Sequence, residues 1–257
     1  MSDYAYFIDK IRKKTGINLS LYKEQQMKRR LEALSGRHGF QDLKSFYTGI
    51  DRDDQLLEQF LSHMTINVSE FFRNESQWKV LEKLIVSGPL QDRAKLKVWS
   101  AACSSGEEPY SLGILLSEHR DPGTFSITAT DLDKSILQQA KQGIYPASAL
   151  KKLEKATIQE HFQEKSPGVY QINDPIKRLI NFRQSDLLKD RFQRNFDLIV
   201  CRNVMIYFNE EAKHTLLNKL SQSLAKGGVL FIGSTEQIFN PSQYGLETIS
   251  SFFYQKK

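Results

Sequence analysis

The first 75 residues carry a helical pattern, with apolar side chains three or four positions apart and almost no strand-like alternation. Glycines at positions 16, 36 and 39 separate the periodic stretches, and glycine commonly follows the end of a helix. The pattern predicts four helices, at Tyr4–Thr15, Leu21–Leu34, Asp42–Gly49 and Asp54–Met64. We therefore expect a small all-α domain over residues 1–75.

A different pattern follows an amphipathic helix predicted at 76–85 and the pair Gly88-Pro89, and we place the domain boundary between residues 65 and 90. Apolar, β-branched runs then alternate with amphipathic stretches. They predict strands at 95–102, 125–131, 179–185, 196–202, 228–234 and near 247–255, and helices at 107–119, 134–142 and 209–225. This alternation is typical of an α/β fold with a mostly parallel, doubly wound sheet.

Residues 144–179 interrupt the alternation, because several prolines and a glycine surround one short strand-like stretch, Val169–Ile172. A long irregular connection inside a compact domain is usually functional or a small subdomain of its own. We expect an inserted helix-plus-antiparallel-strand unit here.

Candidate chemistry lies where the predicted strands end. The strand at 95–102 runs into small residues up to Gly106, where a ligand can approach the backbone closely and the next helix offers unpaired N–H groups. The strand at 125–131 ends in Asp131, followed by Asp133, and doubly wound folds place an acid there to hold a ribose diol. Because Asp133 can cap the next helix, we assign the ribose to Asp131 and predict an adenosyl-cofactor site.

Two later strands also end in polar residues. Asp186 follows the strand at 179–185, where an acid can meet an adenine amino group or simply form a turn. Arg202 and Asn203 stand at the end of a strand predicted to be buried, with Tyr207 four residues beyond Asn203. A charge at the end of a buried strand is costly unless a ligand or partner satisfies it, which favours a functional role.

A third polar cluster lies between the two predicted domains. Asn67, Ser69 and Arg73 alternate with apolar residues, which predicts an ordered, partly buried segment. A plain connecting helix with Arg73 on its surface is the alternative.

The charge is uneven along the 257 residues, which carry a net charge of +6. Residues 1–50 hold ten Lys or Arg against five Asp or Glu. Lys28, Arg29 and Arg30 stand on a predicted helix whose packing face is formed by other, apolar positions. We interpret them as a docking surface for an acidic macromolecule, although a solvated helix face also fits.

The remaining composition is ordinary for a globular protein, with 40% hydrophobic residues. The acidic N-terminus and the lack of a long apolar run predict a cytoplasmic protein. Two cysteines, Cys103 and Cys201, without clustered histidines predict reduced core residues and no metal site.

Five motifs in order resemble those of the chemotaxis receptor methyltransferases, the CheR family: residues 64–73, 99–111, 129–133, 201–208 and 233–236. The resemblance implies a Rossmann-like class I methyltransferase domain over 76–257, with the insert at about 144–179, and an all-α receptor-recognition domain over 1–75 with a linker to about 90. It implies methyl esterification of receptor glutamates with S-adenosylmethionine, giving S-adenosylhomocysteine.

The resemblance also implies site residues. The cofactor-contacting positions carried over by motif are Asn67, Ser69, Arg73, Glu108, Asp131, Asp186, Leu187, Arg202 and Asn203. Members often have Thr at the positions of Ser69 and Ser105, and Asn at that of Asp186, so the adenine contact departs most from the family pattern. Arg73 and Tyr207 are our candidates for steering the substrate carboxylate and closing the pocket.

The implied partner is the cytoplasmic helical bundle of chemotaxis receptors. We expect the protein to act as a monomer, to bind no nucleic acid and not to insert into a membrane. In some members the inserted unit docks a short peptide from the receptor's C-terminus. One competing hypothesis is a nucleic-acid methyltransferase, but the basic excess is confined to one helical segment without interleaved aromatics. Another is a cofactor-binding sensor without catalysis.

Overall fold

The computed structural model describes residues 2–65 and 67–257, which divide into two compact units. The first unit holds the residues up to 65 together with Val204–Thr215. The second holds Asn67–Asn203 and Leu216–Lys257. Ile66, in the first of the five motifs, lies outside the described residues.

The first unit is all-α, as predicted. Its helices are α1 (Asp3–Thr15), α2 (Glu24–Arg37), α3 (Leu43–Arg52) and α4 (Asp54–Met64). Capping side chains hold the starts of α1, α3 and α4; Asp42, for example, accepts from the main-chain N–H of Ser45 at 2.7 Å. Aromatic rings of Phe7, Phe46 and Phe60 pack against one another in the core.

The predicted start of the second helix at Leu21 is wrong. Residues Leu19–Leu21 form a 3₁₀ turn, and Tyr22 pairs with Phe208 in an isolated antiparallel bridge, so α2 begins only at Glu24. The spacing of apolar residues cannot reveal this, because the partner lies far away in the sequence.

The second unit alternates strands and helices. Its elements in chain order, with α10 beginning in the first unit, are α5 (Glu75–Val86), β1 (Leu96–Ala101), α6 (Glu107–His119), β2 (Phe125–Asp131), α7 (Lys134–Gln142), β3 (Ile144–Pro146), α8 (Lys155–His161), β4 (Phe162–Ser166), β5 (Val169–Ile172), α9 (Asp174–Arg178), β6 (Ile180–Gln184), β7 (Phe196–Cys201), α10 (Glu210–Ser223), β8 (Leu224–Ile232), β9 (Leu246–Ser250) and β10 (Phe253–Lys256).

The main sheet has the order β6-β2-β1-β7-β8-β10-β9. Strands β6, β2, β1, β7 and β8 pair in parallel, and only the β8–β10–β9 end is antiparallel. Parallel strands all end at one edge of the sheet, so the polar residues after β1, β2, β6 and β7 share that edge. The predicted α/β fold with a mostly parallel sheet is confirmed.

Two strand predictions need correction. The single strand expected near 247–255 is a pair, β9 and β10, whose chain reverses through Phe252 at a φ of 68°. The strand expected at 228–234 begins earlier, at Leu224, directly where α10 ends.

The insert is a small antiparallel sheet in the order β3-β5-β4, accompanied by α8 and α9. The inserted antiparallel unit predicted from the sequence is confirmed, although the sequence pattern identified only β5 of its three strands. Strand β3 has only three residues, and β4 is largely polar and exposed.

Candidate active site

The turn after β1 has an unusual backbone. Ala102, Ser104 and Gly106 have φ values of 62°, 50° and 97°, in the left-handed region that residues with a β-carbon rarely adopt. The end of β2 holds this turn in place: Cys103 donates its N–H to the carbonyl of Thr130 at 2.9 Å. Backbone conformations of this kind persist only where surrounding contacts enforce them, and they cluster at ligand sites.

Asp131 fixes the same turn with its carboxylate. The side chain lies on a residue that is 7% exposed, and its two oxygens accept the N–H of Ser104 at 2.8 Å and of Asp133 at 3.0 Å. Burial raises the pKa of Asp131, while these two N–H groups oppose the rise. A carboxylate has about four acceptor positions. Asp131 therefore keeps acceptor capacity for ligand hydroxyl groups.

Asp133 caps α7, as predicted. One oxygen accepts the N–H groups of Ser135 at 2.8 Å and Ile136 at 3.1 Å. The other accepts from the side-chain amide of Asn67 at 3.1 Å. The first predicted cofactor residue of the 67–73 segment is thus held against the turn that follows Asp131.

Glu108 and Arg202 form a buried pair. Their side chains are 13% and 2% exposed, and the Glu108 Oε2 to Arg202 Nη1 distance is 3.5 Å. Ser100 also donates its hydroxyl to Glu108 at 2.8 Å. Burial raises the pKa of Glu108, and the Arg202 guanidinium opposes this rise. The pair links the start of α6 to the end of β7.

Arg202 also holds the main chain that carries Arg73. Its Nη2 donates to the carbonyl of Arg73 at 2.7 Å and to the side chains of Asn74 and Gln77 at 3.2 and 3.1 Å. We expected this buried charge to need a ligand or partner, and the protein itself supplies these acceptors. The guanidinium of Arg73 donates to the carbonyl of Val68 at 3.2 Å and is only half-buried.

Glu236 is a site residue to which the sequence assigned no role. Its carboxylate accepts the N–H of Asn203 at 2.7 Å and of Gly233 at 2.9 Å, and Asn203 has a left-handed φ of 58°. Glu236 thereby fixes the predicted cofactor residue Asn203. An acid soon after a buried strand, in the motif 233–236, was the available signal.

The loop after β6 lies beside the end of β2, since the N–H of Ser185 donates to the carbonyl of Asp131 at 2.9 Å. The Asp186 carboxylate accepts the N–H of Leu188 at 2.8 Å, so it serves as a turn residue. Leu187 is buried, and its carbonyl accepts from Lys219 at 2.8 Å. Asp186 and Leu187 therefore reach the edge that also holds Asp131.

The predicted site residues still to be placed are Ser69, Tyr207, Lys28, Arg29 and Arg30. Ser69 is half-buried in the second unit, and the other four lie in the first unit. Tyr207 is half-buried, and its carbonyl accepts the N–H of Lys23 at 3.0 Å. Lys28 and Arg29 are exposed. Arg30 differs from them.

Arg30 is half-buried, and its guanidinium donates to the carbonyl of His63. Burial lowers its pKa. Since an internal carbonyl engages this guanidinium, Arg30 is less available to a partner than Lys28 and Arg29 are.

The turn and its surroundings suit a polar ligand. The hydroxyl oxygen of Ser104 and the Nε of Arg202 are buried without a hydrogen-bond partner among residues 2–65 and 67–257. Buried polar atoms normally have a partner, so each such atom calls for one. In the same described part of the chain, no group of three His, Cys, Asp or Glu side chains could hold a metal ion.

A parallel sheet with a small-residue turn after β1 and an acid at the end of β2 defines an α/β domain of the class that binds an adenosyl cofactor. Comparison with known proteins agrees with this class. The family model described as "CheR methyltransferase, SAM binding domain" matches residues 67–252, and "CheR methyltransferase, all-alpha domain" matches residues 2–65.

A chemotaxis protein methyltransferase of Listeria innocua is 46% identical over 255 residues, covering 99% of this chain and 97% of the relative. One of Borreliella burgdorferi is 32% identical over 255 residues, covering 94% and 89%. The chain belongs to the CheR family of chemotaxis methyltransferases, and the resemblance seen in its motifs is confirmed. S-adenosylmethionine is its cofactor.

Proposed function

We propose that the protein is a protein-glutamate O-methyltransferase that esterifies glutamate side chains of chemotaxis receptors. The observation that carries the proposal is family membership over nearly the whole chain, joined to a turn in which Asp131 holds Ser104. In this proposal Asp131 accepts the ribose hydroxyls, and Asp186 and Leu187 meet the adenine. The amino-acid end meets the remaining carried-over positions: Asn67, Ser69, Arg73, Glu108, Arg202 and Asn203.

The chemistry needs orientation more than proton transfer. The cofactor supplies an activated methyl group on a positively charged sulfur. A glutamate carboxylate has an ordinary pKa of about 4.3, so it is already an anionic nucleophile at neutral pH. The new O–CH₃ bond forms as the S–CH₃ bond breaks, and the electron pair of that bond stays on sulfur. No general base is required.

The protein must therefore align the carboxylate oxygen with the methyl carbon and exclude water. We assign this steering to Arg73 and Tyr207. Arg202 supports this steering indirectly. Its guanidinium donates to the Arg73 carbonyl and so fixes the main chain from which the Arg73 side chain extends.

The proposed partner is the acidic, cytoplasmic helical bundle of a chemotaxis receptor, met by a cytoplasmic monomer through α2. Lys28 and Arg29 are exposed on that helix and provide the positive charge. No helix within residues 2–65 and 67–257 is long and apolar enough to cross a membrane. The exposed charges favour an acidic protein surface over insertion into lipid.

The function is tested by transfer of tritium from methyl-labelled S-adenosylmethionine to a receptor cytoplasmic fragment, followed by base treatment. Glutamate methyl esters release volatile tritiated methanol, whereas N-methyl groups stay on the substrate. A fragment whose acceptor glutamates are replaced by glutamine serves as the control and should gain no label. Label that resists base, or that enters nucleic acid instead, would contradict the proposal.

Arg73→Ala is expected to fold normally and to lower the methylation rate by roughly tenfold, because the substrate carboxylate loses its steering charge. Normal folding is expected because Arg73 is half-buried and its guanidinium donates to the carbonyl of Val68 at 3.2 Å, so its removal leaves no buried charge unpaired. The measurement is the initial methylation rate beside a thermal melt. Arg178→Ala, at an exposed arginine on α9, is the control and should keep its full rate. If Arg73→Ala keeps the full methylation rate, Arg73 does not steer the substrate carboxylate.

Tyr207→Phe is expected to keep the fold and to lower the methylation rate by about fivefold, since one positioned hydroxyl is lost. The backbone should stay in place, because the main-chain carbonyl of Tyr207 holds Lys23 and does not depend on the hydroxyl. Tyr6→Phe, on α1 of the same unit, is the control. Equal rates for Tyr207→Phe and the wild type would show that the hydroxyl plays no catalytic part.

A further inference from the structure

Tyr145 connects the inserted sheet to the turn after β1. It lies on β3, is 4% exposed, and donates its hydroxyl to the carbonyl of Ser105 at 2.8 Å. A β-carbon built on Gly106 would come within 3.1 Å of the same hydroxyl oxygen. The hydroxyl of Tyr145 therefore lies directly against the turn that Asp131 holds from the other end.

The ring of Tyr145 contacts the second segment that carries proposed cofactor residues. It packs edge-on against Phe71 at a centroid distance of 4.9 Å, and Phe71 is completely buried. Phe162, on β4 of the same insert, packs edge-on against Phe71 at 5.4 Å. Lys152 of the insert also pairs with Glu70 at 2.7 Å. The insert thus holds the 67–73 segment at two neighbouring positions.

The turn needs such support. Ala102 and Ser104 have left-handed backbones, which are unfavourable for residues with a β-carbon and persist only under restraint. Asp131 restrains the turn through the N–H of Ser104, and Tyr145 restrains the next carbonyl, that of Ser105. Two hydrogen bonds on adjacent residues, one from β2 and one from the insert, restrain the peptide groups on either side of the Ser104–Ser105 pair.

We propose that Tyr145 is a positioning residue for cofactor binding. Its hydroxyl holds the turn, its ring holds Phe71, and it acts through these two segments rather than through contact with the cofactor. The inserted unit thereby sets the cofactor affinity of the main sheet. This inference rests on the proposed location of the cofactor site.

Tyr110 provides a matched control. It is completely buried, like Tyr145 it donates its hydroxyl to a main-chain carbonyl, and its partner is Ala140 on α7 at 2.7 Å. Tyr110→Phe and Tyr145→Phe each remove one hydroxyl oxygen and one hydrogen bond to a main-chain carbonyl. A purely structural role predicts similar behaviour of the two variants.

The experiment uses the protein without receptor and makes two measurements on each variant. Calorimetric titration gives the Kd of S-adenosylhomocysteine, and a thermal melt gives the melting temperature. We expect both variants to lose similar thermal stability. We expect Tyr145→Phe to raise the Kd by about fivefold or more, and Tyr110→Phe to stay within about twofold of wild type. Equal Kd changes in both variants, or a wild-type Kd in Tyr145→Phe, would overturn the proposal.

A kinetic arm separates the hydroxyl from the ring. Tyr145→Phe should raise the KM for S-adenosylmethionine while leaving kcat at saturating cofactor within about twofold of wild type, because the ring still supports Phe71. Tyr145→Leu should lower kcat as well, since Phe71 and the Arg73 segment lose that support. A lowered kcat with unchanged KM in Tyr145→Phe contradicts the assignment.

The outcome for Asp131 distinguishes failure of this inference from failure of the proposed site. If Asp131→Ala loses affinity and Tyr145→Phe binds like wild type, the site stands and the positioning role is wrong. If Asp131→Ala binds like wild type, the site itself is misplaced. Because the Kd is read without receptor, neither result depends on the methyl acceptor.

Discussion

Replacing Asp131 with alanine should weaken S-adenosylmethionine binding by about a hundredfold or more. The carboxylate is assigned to two ribose hydroxyls, and hydrogen bonds to a charged group contribute roughly 1.5–3 kcal/mol each. Loss of two such bonds corresponds to about a hundredfold change in Kd or more. The N–H groups of Ser104 and Asp133 also lose their acceptor, so the left-handed turn loses a restraint.

Calorimetric titration with S-adenosylhomocysteine measures the effect. Asp131→Asn should show a smaller loss, because it keeps the shape and one acceptor oxygen while removing the charge. A Kd for Asp131→Ala within about twofold of wild type would end the ribose assignment, since even one lost bond of this size weakens binding by about tenfold.

Asp197→Ala is the matched control. Asp197 is also 7% exposed, accepts the N–H of Lys97 at 2.9 Å, and lies at the start of β7, on the opposite edge of the parallel strands. Its removal should lower the melting temperature and leave the Kd unchanged. Similar Kd losses in both variants would point to a general loss of packing rather than a lost ligand contact.

The sequence predicted those parts of the fold that depend on local patterns. Apolar periodicity identified the four N-terminal helices and the alternation of strands and helices. The β9–β10 pair was missed because its chain reversal, at Ser251 and Phe252, lacks the Gly, Asn or Asp that usually marks a tight hairpin. In the insert, β3 and β4 were missed because their sequences are short or polar.

The same distinction applies to the candidate site, where local contacts were predictable from the sequence and contacts between distant residues were not. The cap by Asp133 was predictable, because it acts on N–H groups two and three residues away. The partners of Arg202 were not, since Asn74 and Gln77 lie more than a hundred residues earlier and meet it only in the folded unit. The bond from Tyr145 to Ser105 likewise depends on where the inserted sheet packs.

The second large effect is expected on α2, where a charge reversal should impair receptor recognition alone. Lys28 and Arg29 are exposed, whereas Arg30 is half-buried and donates to the carbonyl of His63. The test therefore replaces Lys28 and Arg29 with glutamate and leaves Arg30 in place. The double variant should raise the KM for receptor by roughly thirtyfold at low salt, because two attractions become repulsions.

Salt dependence gives a second readout. The Debye length is about 10 Å at 0.1 M salt, so attraction between exposed charges weakens as salt is added. Wild-type activity at subsaturating receptor should fall with rising salt, and the variant's activity should depend on salt much less. The Kd for S-adenosylhomocysteine should be the same in both proteins.

Arg12→Glu with Lys13→Glu is the control, because both residues are exposed on α1 and the change in net charge is identical. If recognition depends on the α2 face, the control keeps a KM close to that of wild type. An equal rise in both double variants would mean that net charge, rather than α2, attracts the receptor. If the α2 variant keeps a wild-type KM at low salt, this helix face is merely solvated. The receptor must then dock through the inserted unit or the rim of the pocket.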